Sequence, residues 1–223
     1  YEAQLERALR IPKILFLFAS LITFAMFLLA WWQRPDFILR AISWLRSKRR
    51  RHLRALGLDN IPANGQVILI SNSHDFDHWI HIISTVDRFT RFVAPPDAPG
   101  DKMLRGVALG SGIMIAASRR TLLSAEDNAL ARGLVTLGQG YMLGLSLARE
   151  FAADTVPCAG EHLLGELRRK VRPTILPVYC GERPAHPEAL RHPEIHTYVV
   201  IGNPLPTDTP LDAVREAVAA LGE

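Results

Sequence analysis

Gly65-Gln66-Val67-Ile68-Leu69-Ile70-Ser71-Asn72-Ser73-His74-Asp75-Phe76-Asp77-His78-Trp79 is the stretch on which the fold turns. A glycine introduces the short apolar run Val67–Ile70, a polar turn follows, and an aromatic-rich apolar segment begins at Phe76. Strand, polar turn, then helix is how an α/β protein presents side chains at the carboxyl end of a strand. A histidine beside two carboxylates at that point is equipped to take a proton from a hydroxyl group.

Downstream, strand-like and helix-like segments alternate. Gln66–Ser71, Arg91–Ala94, Gly112–Ala116, Tyr141–Leu147, Thr174–Tyr179 and Thr197–Ile201 read as strands. Trp79–Val86, a segment opening at Ser124 and closing at Gly138, His162–Val171 and Leu211–Leu221 read as helices. Met103–Leu109 fits either state. Such alternation predicts an α/β domain over residues 58–223, with a mostly parallel sheet flanked by helices.

Upstream the chain changes character. Ile14–Trp32 is 19 residues without a charge, broken only by Ser20 and Thr23. As a helix it is about 28 Å long, close to the hydrocarbon thickness of a bilayer. Residues 1–33 are therefore expected to hold one transmembrane anchor, with Trp31 and Trp32 at the interface. A cleaved secretory signal fits less well, because no small-x-small site follows the run and the chain continues into Arg34. The chain begins at Tyr1 and not at methionine, which leaves room for residues upstream.

Charge is distributed unevenly. Of 26 basic residues, eight fall within 34–54, whereas the chain beyond residue 54 carries 15 basic against 19 acidic side chains. The net charge of +4 thus belongs to the region beside the apolar run. A nucleic-acid partner would ask for a basic groove through the folded domain, so none is expected. Anionic lipid headgroups are the expected partner instead. Residues 34–57 read as a basic amphipathic helix in the membrane interface, with Phe37, Ile38, Ala41, Ile42 and Leu45 on its apolar face. The excess of Lys and Arg after the apolar run places the domain on the cytoplasmic side of the cell (inner) membrane, as a single-pass protein. The two cysteines, Cys158 and Cys180, match no disulfide framework or metal spacing.

Four blocks, in order, resemble the lysophospholipid acyltransferase family over roughly residues 55–221. They are Ile70-Ser71-Asn72-Ser73-His74-Asp75-Phe76-Asp77; Gly110-Ser111-Gly112-Ile113-Met114-Ile115 followed by Arg119; Leu145-Ser146-Leu147-Ala148-Arg149-Glu150-Phe151; and Ile175-Leu176-Pro177-Val178. The resemblance implies transfer of a fatty acyl group from acyl-CoA or acyl-carrier protein, as donor substrate, to a glycerolipid hydroxyl, with no bound cofactor. It implies His74 as general base, Asp77 as its orienting carboxylate, and Arg119, Arg149 and Glu150 as contacts to the lipid substrate. The chain also departs from the pattern. The family has Asn-His, four residues, then Asp, whereas Trp79 stands five positions after His74 and Asp77 only three. Alternatively Ser73 holds the family's histidine position and the protein is a non-catalytic accessory subunit among other integral membrane subunits.

Other readings of these residues are structural. His74, His78 and His81 are spaced by four and three, as ligands of one ion on one helix face would be, but Trp79–Ile83 reads as a packing helix and no metal is expected. Arg168, Arg169, Lys170 and Arg172 close a helix, where cations suit its dipole. Gly138-Gln139-Gly140 is a turn and not a phosphate loop, since no Lys-Ser/Thr follows.

Overall fold

The computed structural model describes residues 2–33, 40–42, 51–73, 75–94, 98–116, 128–147, 159–184 and 195–223. The elements in chain order are α1 (Glu2–Gln33), β1 (Arg51–Leu56), a 3-10 turn (Leu58–Asn60), β2 (Val67–Ser71), α2 (Phe76–Thr85), β3 (Thr90–Ala94) and α3 (Lys102–Gly110). There follow β4 (Met114–Ala116), α4 (Asn128–Gly138), β5 (Met142–Ser146), α5 (Ala159–Val171), β6 (Thr174–Pro184), β7 (Ile195–Ile201) and α6 (Leu211–Ala220).

The strands form one sheet in the order β1-β7-β6-β2-β5-β3-β4. Every neighbouring pair is parallel except β6 with β7. β2 sits in the middle and is buried along its whole length, which is why it reads as an unbroken apolar run and not an alternating one. Its side chains divide between two cores. Val67 and Leu69 join Phe76, Trp79, Ile83 and Leu104 of α2 and α3, whereas Ile68 and Ile70 join Leu137, Leu163, Leu167, Val214 and Val218 of α4, α5 and α6. The mostly parallel sheet flanked by helices is the architecture expected from the alternating pattern.

Several boundaries move. The ambiguous segment after residue 102 is helix α3, because the Asp101 carboxylate accepts from the Met103 N–H (2.9 Å) and the Leu104 N–H (3.1 Å). β6 runs on past Tyr179 to Pro184 and β7 starts at Ile195, since the two pair antiparallel from Val178↔Ile201 to Pro184↔Ile195. Ser124, expected to cap α4, lies outside the described residues.

One correction is larger. The amphipathic helix expected over 34–57 does not reach its predicted end, because Arg51–Leu56 is strand β1. It pairs parallel with the free edge of β7, from Arg51↔Ile195 to Leu56↔Val200. Leu53 and Ala55 are half-buried while Arg54 and Leu56 are exposed, a period of two that the surrounding arginines hide in the sequence. The sheet therefore starts upstream of residue 58. Residues 40–42 are helical, and Ile42 packs against the core on the α2 face, so its side chain is used for protein packing.

Within α1, Pro12–Leu29 is 18 residues long and apolar enough to cross a membrane. Its large side chains are exposed, Phe16 to 75 % and Leu17 to 68 %, and Thr23 Oγ returns its proton to Ala19 O at 2.8 Å.

Candidate functional site

The turn from β2 into α2 is tied down residue by residue. The Asn72 side-chain amide pairs with a peptide of the neighbouring strand: Nδ2 donates to Cys180 O (3.0 Å) and Oδ1 accepts from the Cys180 N–H (2.8 Å). Asn72 thus extends the β2–β6 ladder, whose last backbone pair is Ser71↔Val178. The Ser73 N–H donates to Ser71 Oγ (3.3 Å), and Ser73 Oγ accepts from the Asp75 N–H (3.1 Å). Asp75 is the N-cap of α2, its carboxylate accepting from the Asp77 N–H at 2.9 Å. The Phe76 N–H, otherwise an unpaired first-turn donor, bonds Pro99 O at 3.0 Å.

Gly100 is needed where the second loop meets this turn. Its φ of +120° lies in the region that L side chains avoid, and a Cβ there would stand 3.0 Å from Phe76 Cβ and 3.1 Å from Asp75 Oδ1. The rotation of α2 is set by Trp79. Its indole is fully buried, stacks on Phe92 (centroids 5.4 Å apart, planes 5° apart), and its benzo ring sits against Gly144 of β5.

With α2 so held, His78 Nδ1 lies 2.7 Å from Ser73 Oγ. Both residues are half-buried. A contact at a spacing of five is not made within a helix; it arises because Ser73 precedes α2 and the turn folds back over its first turn. In the tautomer with Nε2 protonated, Nδ1 accepts the serine hydroxyl proton. Counted by the acyltransferase pattern from Asn72, Ser73 stands at the place of the histidine and His78 at the place of the aspartate. Ser73 at the histidine position is the alternative already offered by the sequence; the contact with His78 is what the structure adds.

Of the residues picked out from the sequence, Asp77 is on the first turn of α2, half-buried, with its N–H on Asp75. His74, Arg119, Arg149 and Glu150 lie outside the described residues. His81 is buried on α2. Among the described residues, no group of three or more His, Cys, Asp or Glu is placed to hold a metal ion.

Two of the described arginines, Arg88 and Arg91, serve the scaffold. Arg88 donates to Pro62 O (2.7 Å), Gly65 O (2.8 Å) and Gly140 O (2.5 Å), joining three loops, and burial lowers its pKa. Arg91 lies 5.7 Å from the centroids of both Phe89 and Tyr141 and reaches Thr136 Oγ1 at 3.3 Å. Its pKa is lowered, first by burial and further by Arg132, with Tyr141 acting the other way. Burial likewise lowers that of Arg168, against Asp208, in the last turn of α5.

No protein-family model and no curated protein matches the chain. Among solved structures it is similar to the 1-acyl-sn-glycerophosphate (LPA) acyltransferase PlsC from Thermotoga maritima, with a TM-score of 0.52 and 15 % sequence identity. The match covers 84 % of this chain and 79 % of that one. At this identity the likeness is one of fold: the chain has the architecture of a glycerophosphate acyltransferase.

Proposed function

We propose that the chain is a membrane-anchored acyltransferase that moves a fatty acyl group from a thioester to the hydroxyl of a lysophospholipid or related glycerolipid. The observation that carries this reading is the polar turn Asn72–His78, held at the carboxyl end of the central strand of an acyltransferase fold. Ligands of open α/β sheets bind at that edge. His74 takes the proton of the acceptor hydroxyl, and Asp77 orients the imidazole and balances its charge. Arg119, Arg149 and Glu150 contact the acceptor, the arginines through its phosphate, which suits a planar fork of donors. The donor is acyl-CoA or acyl-carrier protein. The apolar window of α1 anchors the chain, and the basic residues of 34–54 meet anionic headgroups at the cytoplasmic surface.

The test uses the full chain in phosphatidylglycerol-containing vesicles, supplied with radiolabelled palmitoyl-CoA or palmitoyl-acyl-carrier protein and lysophosphatidate. Labelled phospholipid is expected, and His74→Ala is expected to lower its rate about 100-fold or more, the usual contribution of a general base. Stable co-purification with integral membrane subunits, without any transfer, would replace this reading with the accessory role.

A further inference from the structure

We propose that Ser73 and His78 are a nucleophile and its base, and that the acyl group passes through an ester on Ser73. The proposal rests on the acyl-transfer reading above but adds a covalent step to it.

The geometry assigns each atom of the hydroxyl a task. Ser73 Oγ has one proton and two lone pairs. With Nε2 protonated, the proton points along the 2.7 Å line to His78 Nδ1, and one lone pair takes the Asp75 N–H at 3.1 Å. The second lone pair remains for attack. Both partners are fixed from outside the pair: Ser73 by the Asn72–Cys180 amide pairing, His78 by the buried Trp79 beside it. Ser73 also precedes the amino end of the ten-residue α2, where negative charge developing on Oγ is favoured. A hydroxyl bonded to an imidazole and supported by a backbone N–H is the arrangement of an activated serine.

The steps balance without any further reagent. Ser73 Oγ attacks the thioester carbonyl carbon as its proton moves to His78 Nδ1. The tetrahedral adduct collapses, the C–S bond breaks, and the thiolate takes the proton from His78 to leave as thiol. The acyl group is now an ester of Ser73. In this two-step route His78, neutral again, takes the proton of the glycerolipid hydroxyl as that oxygen attacks the ester carbonyl. The C–Oγ bond breaks, and the proton passes from His78 Nδ1 to Ser73 Oγ.

The experiment mixes the full chain in vesicles with palmitoyl-CoA or palmitoyl-acyl-carrier protein and no acceptor, then reads thiol release, intact mass and peptide maps. One palmitoyl group per chain is expected on Ser73, stable to neutral hydroxylamine. His78→Ala is expected to slow its formation about 100-fold. Ser73→Cys, folded by circular dichroism, should carry the group as a thioester that neutral hydroxylamine removes. Transfer to lysophosphatidate with no adduct, and with Ser73→Ala at full rate, would overturn the covalent step and leave acyl transfer standing. No transfer and no adduct with either donor would overturn both.

Discussion

Gly144→Ala tests the packing that aims the site. A Cβ at Gly144 would lie 2.4 Å from Cζ3 and 2.7 Å from Cη2 of Trp79, and 3.1 Å from Phe92 Cβ. Carbon atoms pack comfortably at about 3.5–4.0 Å, so the indole must retreat by roughly 1 Å. It has little room to do so, being fully buried and stacked on Phe92. Overpacking of this kind costs about 1–3 kcal/mol, and the gain from replacing glycine in a strand returns about 0.5–1 kcal/mol. Taken at the midpoints of these ranges, a net loss of about 1 kcal/mol is expected, or about 2–4 °C in the melting temperature of a domain this size. Calorimetry of the purified chain measures it. Trp79→Phe removes the benzo-ring atoms that collide, so the double variant should be more stable than the summed single losses by about 1 kcal/mol. Because Trp79 adjoins His78, Gly144→Ala should also slow acylation of Ser73. Additive single losses, or no loss at Gly144 at all, would refute the account of how α2 is seated.

Other perturbations separate scaffold from chemistry. Asn72→Ala leaves the Cys180 peptide without its side-chain partner and should cost about 1–3 kcal/mol in chemical denaturation; a cost below about 0.5 kcal/mol would mean water replaces the amide freely. Arg88→Met removes three donors to loop carbonyls, and hydrogen exchange should rise first around Gly65 and Gly140, with about 1–3 kcal/mol lost overall. Unchanged protection in those loops would deny the clamp. Deletion of residues 1–33 should move the chain from the membrane pellet toward the supernatant on sedimentation with vesicles; a truncated chain that pellets as fully as the parent would assign membrane attachment to other residues.

The fold was legible from Val67–Ile70 outward because burial on both faces of a central strand demands an unbroken apolar run, and helix signals recur between such runs. The strand β1 was not legible. Arg51, Arg54 and the basic residues before them look like one amphipathic face, and only the free edge of β7 makes Arg51–Leu56 extended. The end of β6 is hidden for a similar reason: Gly181-Glu182-Arg183-Pro184 has no strand signal of its own and is held by the antiparallel pairing. At the site, the position of the polar turn was readable, and so was the helix after it. The partnership inside the turn was not, because a contact between residues five apart belongs neither to helix nor to strand periodicity.

By itself the sequence determined the layers: which runs are buried, where strand passes to helix, and that cations cluster beside one apolar segment. Those properties are local, set by hydrophobic period, capping residues and charge spacing. The tertiary structure alone decided which side chains meet. Asn72 reaches Cys180 across 108 positions, Trp79 settles on Gly144, and Ser73 folds back onto His78. Each of these contacts depends on how neighbouring strands are ordered in the sheet and how a helix is rotated upon it, and neither is encoded in the spacing along one segment.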